Sequence, residues 1–287
     1  MPWTDYRLLG DSRVQWLEAE WRAAHTDCHR FFSLLHCGLH SITIDIMHTL
    51  SLGVAQHIGA NVMFELIWHV VPSGTHQQKL MDVWMSIKEF YSQWHVACRM
   101  SKLTLATITD PKRPHQVFPH LAAKAKETEW LCRAVASVWP QYMDRALPLH
   151  CHILRTLQLL VQIYDIARTD GIFHSDTDAR TMQSSVMNLL AHYNWLAKAA
   201  ETTGSKRWNT VLKHHMLGHI AMDSQYLHVR AGSTYIDEDF MGRMKSVAMK
   251  CTGGMALYRF GATVISKYTK GLWLRWRSRL DIAALLG

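Results

Sequence analysis

A chain of 287 residues, 48% hydrophobic and 19% charged, is long enough to bury one large core or two and too apolar to stay disordered. Its net charge of +8 favours an acidic partner, with nucleic acid first in line. Six scattered cysteines without a CxxC pair argue against a disulfide scaffold or zinc ribbon and for free thiols in a reducing, intracellular compartment. The N-terminal stretch has no basic region followed by an apolar run, so no signal peptide is expected. The apolar runs are broken by His, Gln, Glu or Asn well before membrane length, so no transmembrane helix is expected either. Twelve Trp and 15 Met point to thick helical packing.

Residues 11–24 carry apolar side chains at helical spacing, and residues 28–41 read as a buried turn ending near Gly38. Ile42-Thr43-Ile44 reads as a short β-branched strand that delivers Asp45 to its tip. From Ile46 to Val71 the pattern turns helical, with Leu50, Val54, Ile58, Val62, Leu66 and Val70 on one stripe. Pro72-Ser73-Gly74 stops it. A helix follows over 76–99, with Trp84, Ile87, Tyr91 and Trp94 expected to face inward. Three prolines make 108–120 a loop. Helices are expected over 121–138, from Pro148 through Ile166, and from an Asp176 or Thr177 cap to about Glu201. Residues 202–205 make a loop and 208–220 a helix or strand. Asp237 can cap a helix from Glu238, Gly253-Gly254 breaks it, and a last helix runs from Leu257 to Leu274 or beyond. No internal repeat is present. The loops at 108–120 and 202–206 are the expected seams. The expected organisation is an N-terminal part over 1–75, a helical insertion over 76–206 and a C-terminal region over 207–287.

Four stretches carry chemistry. Asp45 and His48, three apart, share a face at a helix start. An acid at a strand tip lies where sites gather in α/β folds. The same residues also suit a helix cap and a packed histidine. Asp237-Glu238-Asp239 places three acids at a helix start, where the macrodipole favours them. Carboxylates from distant segments are also what a pair of Mg²⁺ ions needs for phosphodiester chemistry. His215 and His219, four apart, could share a zinc ion on a helix. Neither Met216 nor Gly218 offers a base, and one such spacing is expected by chance among 19 histidines. Zinc is therefore not the expected metal. His150-Cys151-His152 is a weaker candidate, because adjacent side chains diverge on a helix.

The fourth stretch is basic. Between Phe240 and Leu280 stand nine cations and no acid: Arg243, Lys245, Lys250, Arg259, Lys267, Lys270, Arg275, Arg277 and Arg279. The remainder of the chain, +8 less these nine, carries −1. Six aromatics are interleaved with them: Phe240, Tyr258, Phe260, Tyr268, Trp273 and Trp276. A basic stripe with aromatics is the footprint of phosphate-backbone binding. A solvated face or a membrane-surface helix would use the same composition.

The segment from Asp45 through His48 to Gly53 and Val54 resembles the D-x-M-H…LG segment of CACTA-type and related DDE transposases. The resemblance continues through Phe118-Pro119-His120-Leu121 to Ala125, then Lys213-His214-His215-Met216-Leu217-Gly218-His219, then Asp237 to Arg243, in order, over roughly residues 30–270. It implies a mainly α-helical α+β fold, a ribonuclease-H-like core remnant with a large helical insertion. It further implies catalytic, metal-binding roles for Asp45 and Glu238, with His48 beside them, and Mg²⁺ or Mn²⁺ as cofactor. Enzymes of this kind need an earlier aspartate on an upstream strand. Asp5, Asp11 and Asp27 end no strand-like run, so the chain reads as the C-terminal part of such a protein. The function expected is transposase-like DNA binding, through the nine cations, in a partial or inactive strand-transfer nuclease in the nucleus. A homo-oligomer is compatible with it and a membrane is not expected. The alternatives are a non-catalytic, domesticated DNA-binding or interaction protein and a His/Asp metal-dependent hydrolase.

Overall fold

The computed structural model describes residues 43–251 and 257–286, with side chains excepted at 236–239, 257–258, 275–276 and 278–286. The described residues form helices and no strand. This overturns the α+β expectation and, with it, the ribonuclease-H-like core remnant. Ile42 lies outside the described residues. Thr43 and Ile44 form no strand: they lie against a 3₁₀ turn at Val229–Gly232, and among the described residues no strand is there to pair with them. A Cβ added to Gly232 would stand 3.0 Å from the Ile44 carbonyl oxygen. Their β-branched side chains suit a pleated sheet only when a second strand is there.

Two compact units divide the chain, residues 1–233 and 234–287. The first is organised around α1, Met47–Val70. This helix is long and apolar enough to cross a membrane by composition, but 89% of its apolar window is buried inside the unit. It is a regular α-helix over Ala55–Glu65, flanked by π-helical turns at Met47–Val54 and Leu66–Val70. Around it lie α2 (His76–Gln93), the single turn α3 (Leu105–Ile108), α4 (Ala125–Tyr142), α5 (Pro148–Ile166), α6 (Asp176–Thr202) and α7 (Leu212–Asp223).

Local chemistry sets the helix ends. Thr75 and Gln78 close a capping box on α2, with Gln78 N donating to Thr75 Oγ1 at 3.3 Å and Thr75 N to Gln78 Oε1 at 2.8 Å. Pro148 occupies the first turn of α5, where its missing N–H costs nothing. Ser175, not Asp176 or Thr177, caps α6, accepting from Asp178 N at 3.1 Å. Helix α2 ends at Gln93, so Trp94 falls outside it and is 61% exposed. It does not face inward as the spacing suggests.

Because α1 is enclosed, its polar residues need partners. Gln56 Nε2 donates to the Ala123 carbonyl at 2.8 Å. His57, Asn61 and Glu65, each four apart, form a buried polar stripe facing the segment 205–214. Asn61 Oδ1 accepts from Trp208 N at 2.9 Å, and Glu65 pairs with Arg207. Trp208 is fully buried and holds a left-handed backbone, φ 55°. The Asn61 bond and the burial of the indole fix it there despite the cost of that conformation. A second buried carboxylate, Glu129 on α4, is neutralised by Lys126, Arg133 and Arg168, which ties α4 to the end of α5.

The second unit holds α8 (Tyr235–Met249) and α9 (Leu257–Leu286). Helix α8 begins at Tyr235 after Thr234, upstream of the expected Glu238 start. The Gly253-Gly254 break lies outside the described residues. Phe240 and Tyr268 meet edge to face at 5.3 Å, and Val264 and Cys251 are buried.

Candidate functional site

The segments 45–54, 118–125 and 213–219 come together in the first unit. The π turn at the start of α1 bends at Leu52, φ −94° and ψ 22°. A π turn leaves carbonyls without helical donors, and Lys213 Nζ of α7 donates to the Leu52 carbonyl at 2.6 Å. Gly53 makes this approach possible, because a Cβ there would stand 2.4 Å from Lys213 Cδ. The glycine of the first segment and the lysine of the third therefore explain each other. The second segment arrives through His120, whose ring meets His57 edge to face at 5.1 Å. His57 in turn lies 6.2 Å from His214.

This cluster is electrostatically one-sided. Burial, helped by His120 and Lys213, pushes the His57 imidazole down to about 4. Burial takes His214 down to about 4 as well, partly opposed by its hydrogen bond to Val211. Burial and Lys213 lower His120 too. His214 Nδ1 lies 3.2 Å from Val211 N and 3.1 Å from the Val211 carbonyl oxygen. Three neutral rings and one ammonium make a packed polar core, unlike a general acid–base pair, which needs a group poised near neutral pH.

Asp45 acts as the cap of α1. Its Oδ1 accepts from Met47 N at 2.9 Å, its Oδ2 lies 3.4 Å from His48 N, and the same Oδ2 pairs with His48 Nδ1. The Asp45 side chain is 17% exposed and that of His48 48%. Glu238 belongs to α8 in the other unit, and its side chain lies outside the described residues. His215 and His219 approach through Nε2 atoms 3.0 Å apart. His150 is structural: its Nδ1 accepts from Asp144 N at 2.9 Å, and its carbonyl accepts from Trp139 Nε1 at 3.2 Å. Among the described residues, no three His, Cys, Asp or Glu side chains are grouped to hold a metal ion.

The basic stretch is the most open of the four. Of its nine cations, Arg243, Lys245, Lys250, Arg259, Lys267, Lys270 and Arg277 are exposed, while the side chains of Arg275 and Arg279 lie outside the described residues. At about 100° per residue, Arg259, Lys267, Lys270 and Arg277 fall within roughly 80° of one another around α9. From Arg259 to Arg277 the helix rises roughly 27 Å. Trp273 is 55% exposed and carries the Arg277 guanidinium 5.3 Å over its ring. The opposite side of α9, with Val264 and Tyr268, packs against α8.

Two arrangements had no sequence signal. The His57–His120–His214 cluster draws single residues from three distant segments. His174 and His228, 54 positions apart, stack at 3.9 Å, with Val229 N donating to His174 Nε2 at 3.3 Å. No protein-family model, curated protein or solved structure matches the chain.

Proposed function

We propose that this chain binds nucleic acid, duplex DNA first, through the cationic face of α9, and that it does so as a binding protein without strand-transfer chemistry. The observation that carries the reading is the exposed row of Arg259, Lys267, Lys270 and Arg277 beside Trp273, in a stretch with no acid from Phe240 to Leu280. A roughly 27 Å row spans about eight base-pair steps of a duplex, whose phosphates present one charge per about 1.7 Å of axis. Trp273 and Arg277 together offer a stacking surface for an exposed base. Asp45 caps α1 through Oδ1 and pairs with the His48 ring through Oδ2.

A membrane-surface helix is the second reading, favoured by exposed Ile265, Leu272, Trp273 and Leu274. Such a helix needs one continuous apolar stripe. Consecutive residues step about 100° around a helix, so Ile265 and Leu272, seven apart, share the side away from the cations, whereas Leu274 falls between Lys270 and Lys267 and Trp273 beside Arg277. The gathering of four cations within roughly 80° favours nucleic acid. Titration of the full chain against a random-sequence duplex and against anionic phosphatidylserine vesicles separates the two. The expected result is duplex binding that weakens alike for all sequences when Lys267, Lys270 and Arg277 become alanine, because phosphate contacts position a protein and base contacts specify. Tighter binding to vesicles than to DNA would overturn the proposal.

A further inference from the structure

Helices α5 and α6 bring two imidazoles face to face. His152 Nδ1 and His192 Nδ1 lie 2.8 Å apart, with ring centroids at 4.9 Å and planes at 63°. Trp195 covers one face of His152, parallel to it at a centroid distance of 3.8 Å, and is itself 38% exposed. Both histidines are half-buried, so the pair is held by packing and remains open to solvent. A contact of this kind requires a lone pair on one Nδ1 pointing at the other ring, so at least one ring is a neutral acceptor.

The separation is also that of two adjacent metal ligands. Bonds of about 2.0–2.1 Å to imidazole nitrogen place ligands at 90° about 2.9 Å apart and tetrahedral ligands about 3.3 Å apart. The observed 2.8 Å is a hydrogen-bond distance in the metal-free pair and lies within about half an ångström of both separations; paired imidazole nitrogens suit Cu²⁺ and Ni²⁺. We infer that His152 and His192 form a two-imidazole site for a divalent ion of the Cu²⁺ or Ni²⁺ class, bridging α5 and α6. Binding needs no net loss of protons: the ring with its hydrogen on Nδ1 moves it to Nε2, and both Nδ1 lone pairs turn to the metal. Trp195 stacks on His152 and restrains its ring plane as the ring turns to the ion. Arg155 is close enough to His192 to oppose a cation. That favours the tight end of the divalent series, Cu²⁺ above Zn²⁺ and Mn²⁺.

The test uses the full chain carrying His215→Gln, which removes the facing ring nitrogens of His215 and His219. Titration with CuCl₂ should fill a first site whose electron paramagnetic resonance spectrum shows two nitrogen ligands, with quenching of Trp195 fluorescence. His192→Gln should weaken that first equivalent at least tenfold. Trp195→Phe should keep the binding and lose the matching part of the quench. Ni²⁺ should raise the melting temperature of the parent and leave that of His192→Gln unchanged. Equal Cu²⁺ affinity and equal quenching in the parent and in His152→Gln/His192→Gln would overturn the inference. If these variants lose their helical circular dichroism, the parent spectrum decides, and a first equivalent without two nitrogen ligands overturns it equally.

Discussion

Acidification from pH 7 to pH 5 should destabilise the first unit through two particular side chains. His57 and His214 are buried and held down to about 4 in the fold, against 6.5 as the ordinary value. The unfolded chain therefore binds more protons than the folded one between these values. The stability they contribute is complete above 6.5 and is lost as pH falls toward 4. At pH 5 the cost is about 2 kcal/mol for each ring, or about 4 kcal/mol if the two add. For a unit of this size that corresponds to a fall in melting temperature of roughly 8–16 °C. Other histidines with lowered values, half-buried His174 and buried His228 among them, act in the same direction. The pair is isolated by variants that keep the hydrogen bonds and remove the titration. His57→Gln retains a donor for the Pro119 carbonyl, and His214→Asn retains an acceptor for Val211 N. Thermal melts followed by circular dichroism at pH 7 and pH 5, for parent and double variant, give the difference. The double variant should lose less stability on acidification by about 4 kcal/mol. An identical pH decrement in the two proteins would refute the neutral cluster.

Lys213→Ala should cost about 1 kcal/mol by removing the donor to the Leu52 carbonyl. Gly53→Ala should be more damaging in the parent than in the Lys213→Ala background; a double-mutant cycle by denaturant unfolding should give a coupling of roughly 0.5–3 kcal/mol, and strict additivity would contradict the contact. Arg207→Met should destabilise by about 3–5 kcal/mol because it strands Glu65, and adding Glu65→Leu should restore much of the loss in the same assay. Asp45→Ala should cost roughly 0.5–2 kcal/mol as a lost cap and leave DNA affinity unchanged; a large loss of DNA binding at unchanged stability would instead give Asp45 a role at the nucleic acid.

The helices were legible where local rules act alone. Pro148 marks the start of α5, the prolines of 108–120 mark the irregular stretch between α3 and α4, and the start of α6 was placed one or two residues late, at Asp176 or Thr177 instead of Ser175. The stripe Leu50, Val54, Ile58, Val62 and Leu66 is buried as its spacing implies. What the stripe concealed is that α1 is enclosed on its other sides as well. His57, Asn61 and Glu65 look like ordinary polar positions until segment 205–214 is laid over them. Ile42-Thr43-Ile44 misled because β-branched residues favour strands only when another strand offers its edge. Trp94 misled because periodicity carries no mark of the residue at which a helix stops. At the candidate sites, Asp45 and His48 were readable as a pair through their spacing of three. The His152–His192 contact was not, because it joins two helices and neither residue has a local partner to announce it. The basic stretch was readable because an absence of acids over 41 residues is a property of sequence alone.

Phosphate binding by the cationic face of α9 predicts a steep salt dependence of affinity for a random-sequence duplex. Each phosphate neutralised contributes roughly −0.9 to the slope of log affinity against log salt. If Arg259, Lys267, Lys270 and Arg277 all engage, the slope should be about −3.6, and affinity should fall roughly a hundredfold or more between 50 and 200 mM salt. Replacing Lys267, Lys270 and Arg277 together by alanine should bring the slope to about −0.9 while the melting temperature of the first unit stays constant. A triple variant whose slope equals that of the parent would contradict the account and remove α9 from the binding surface.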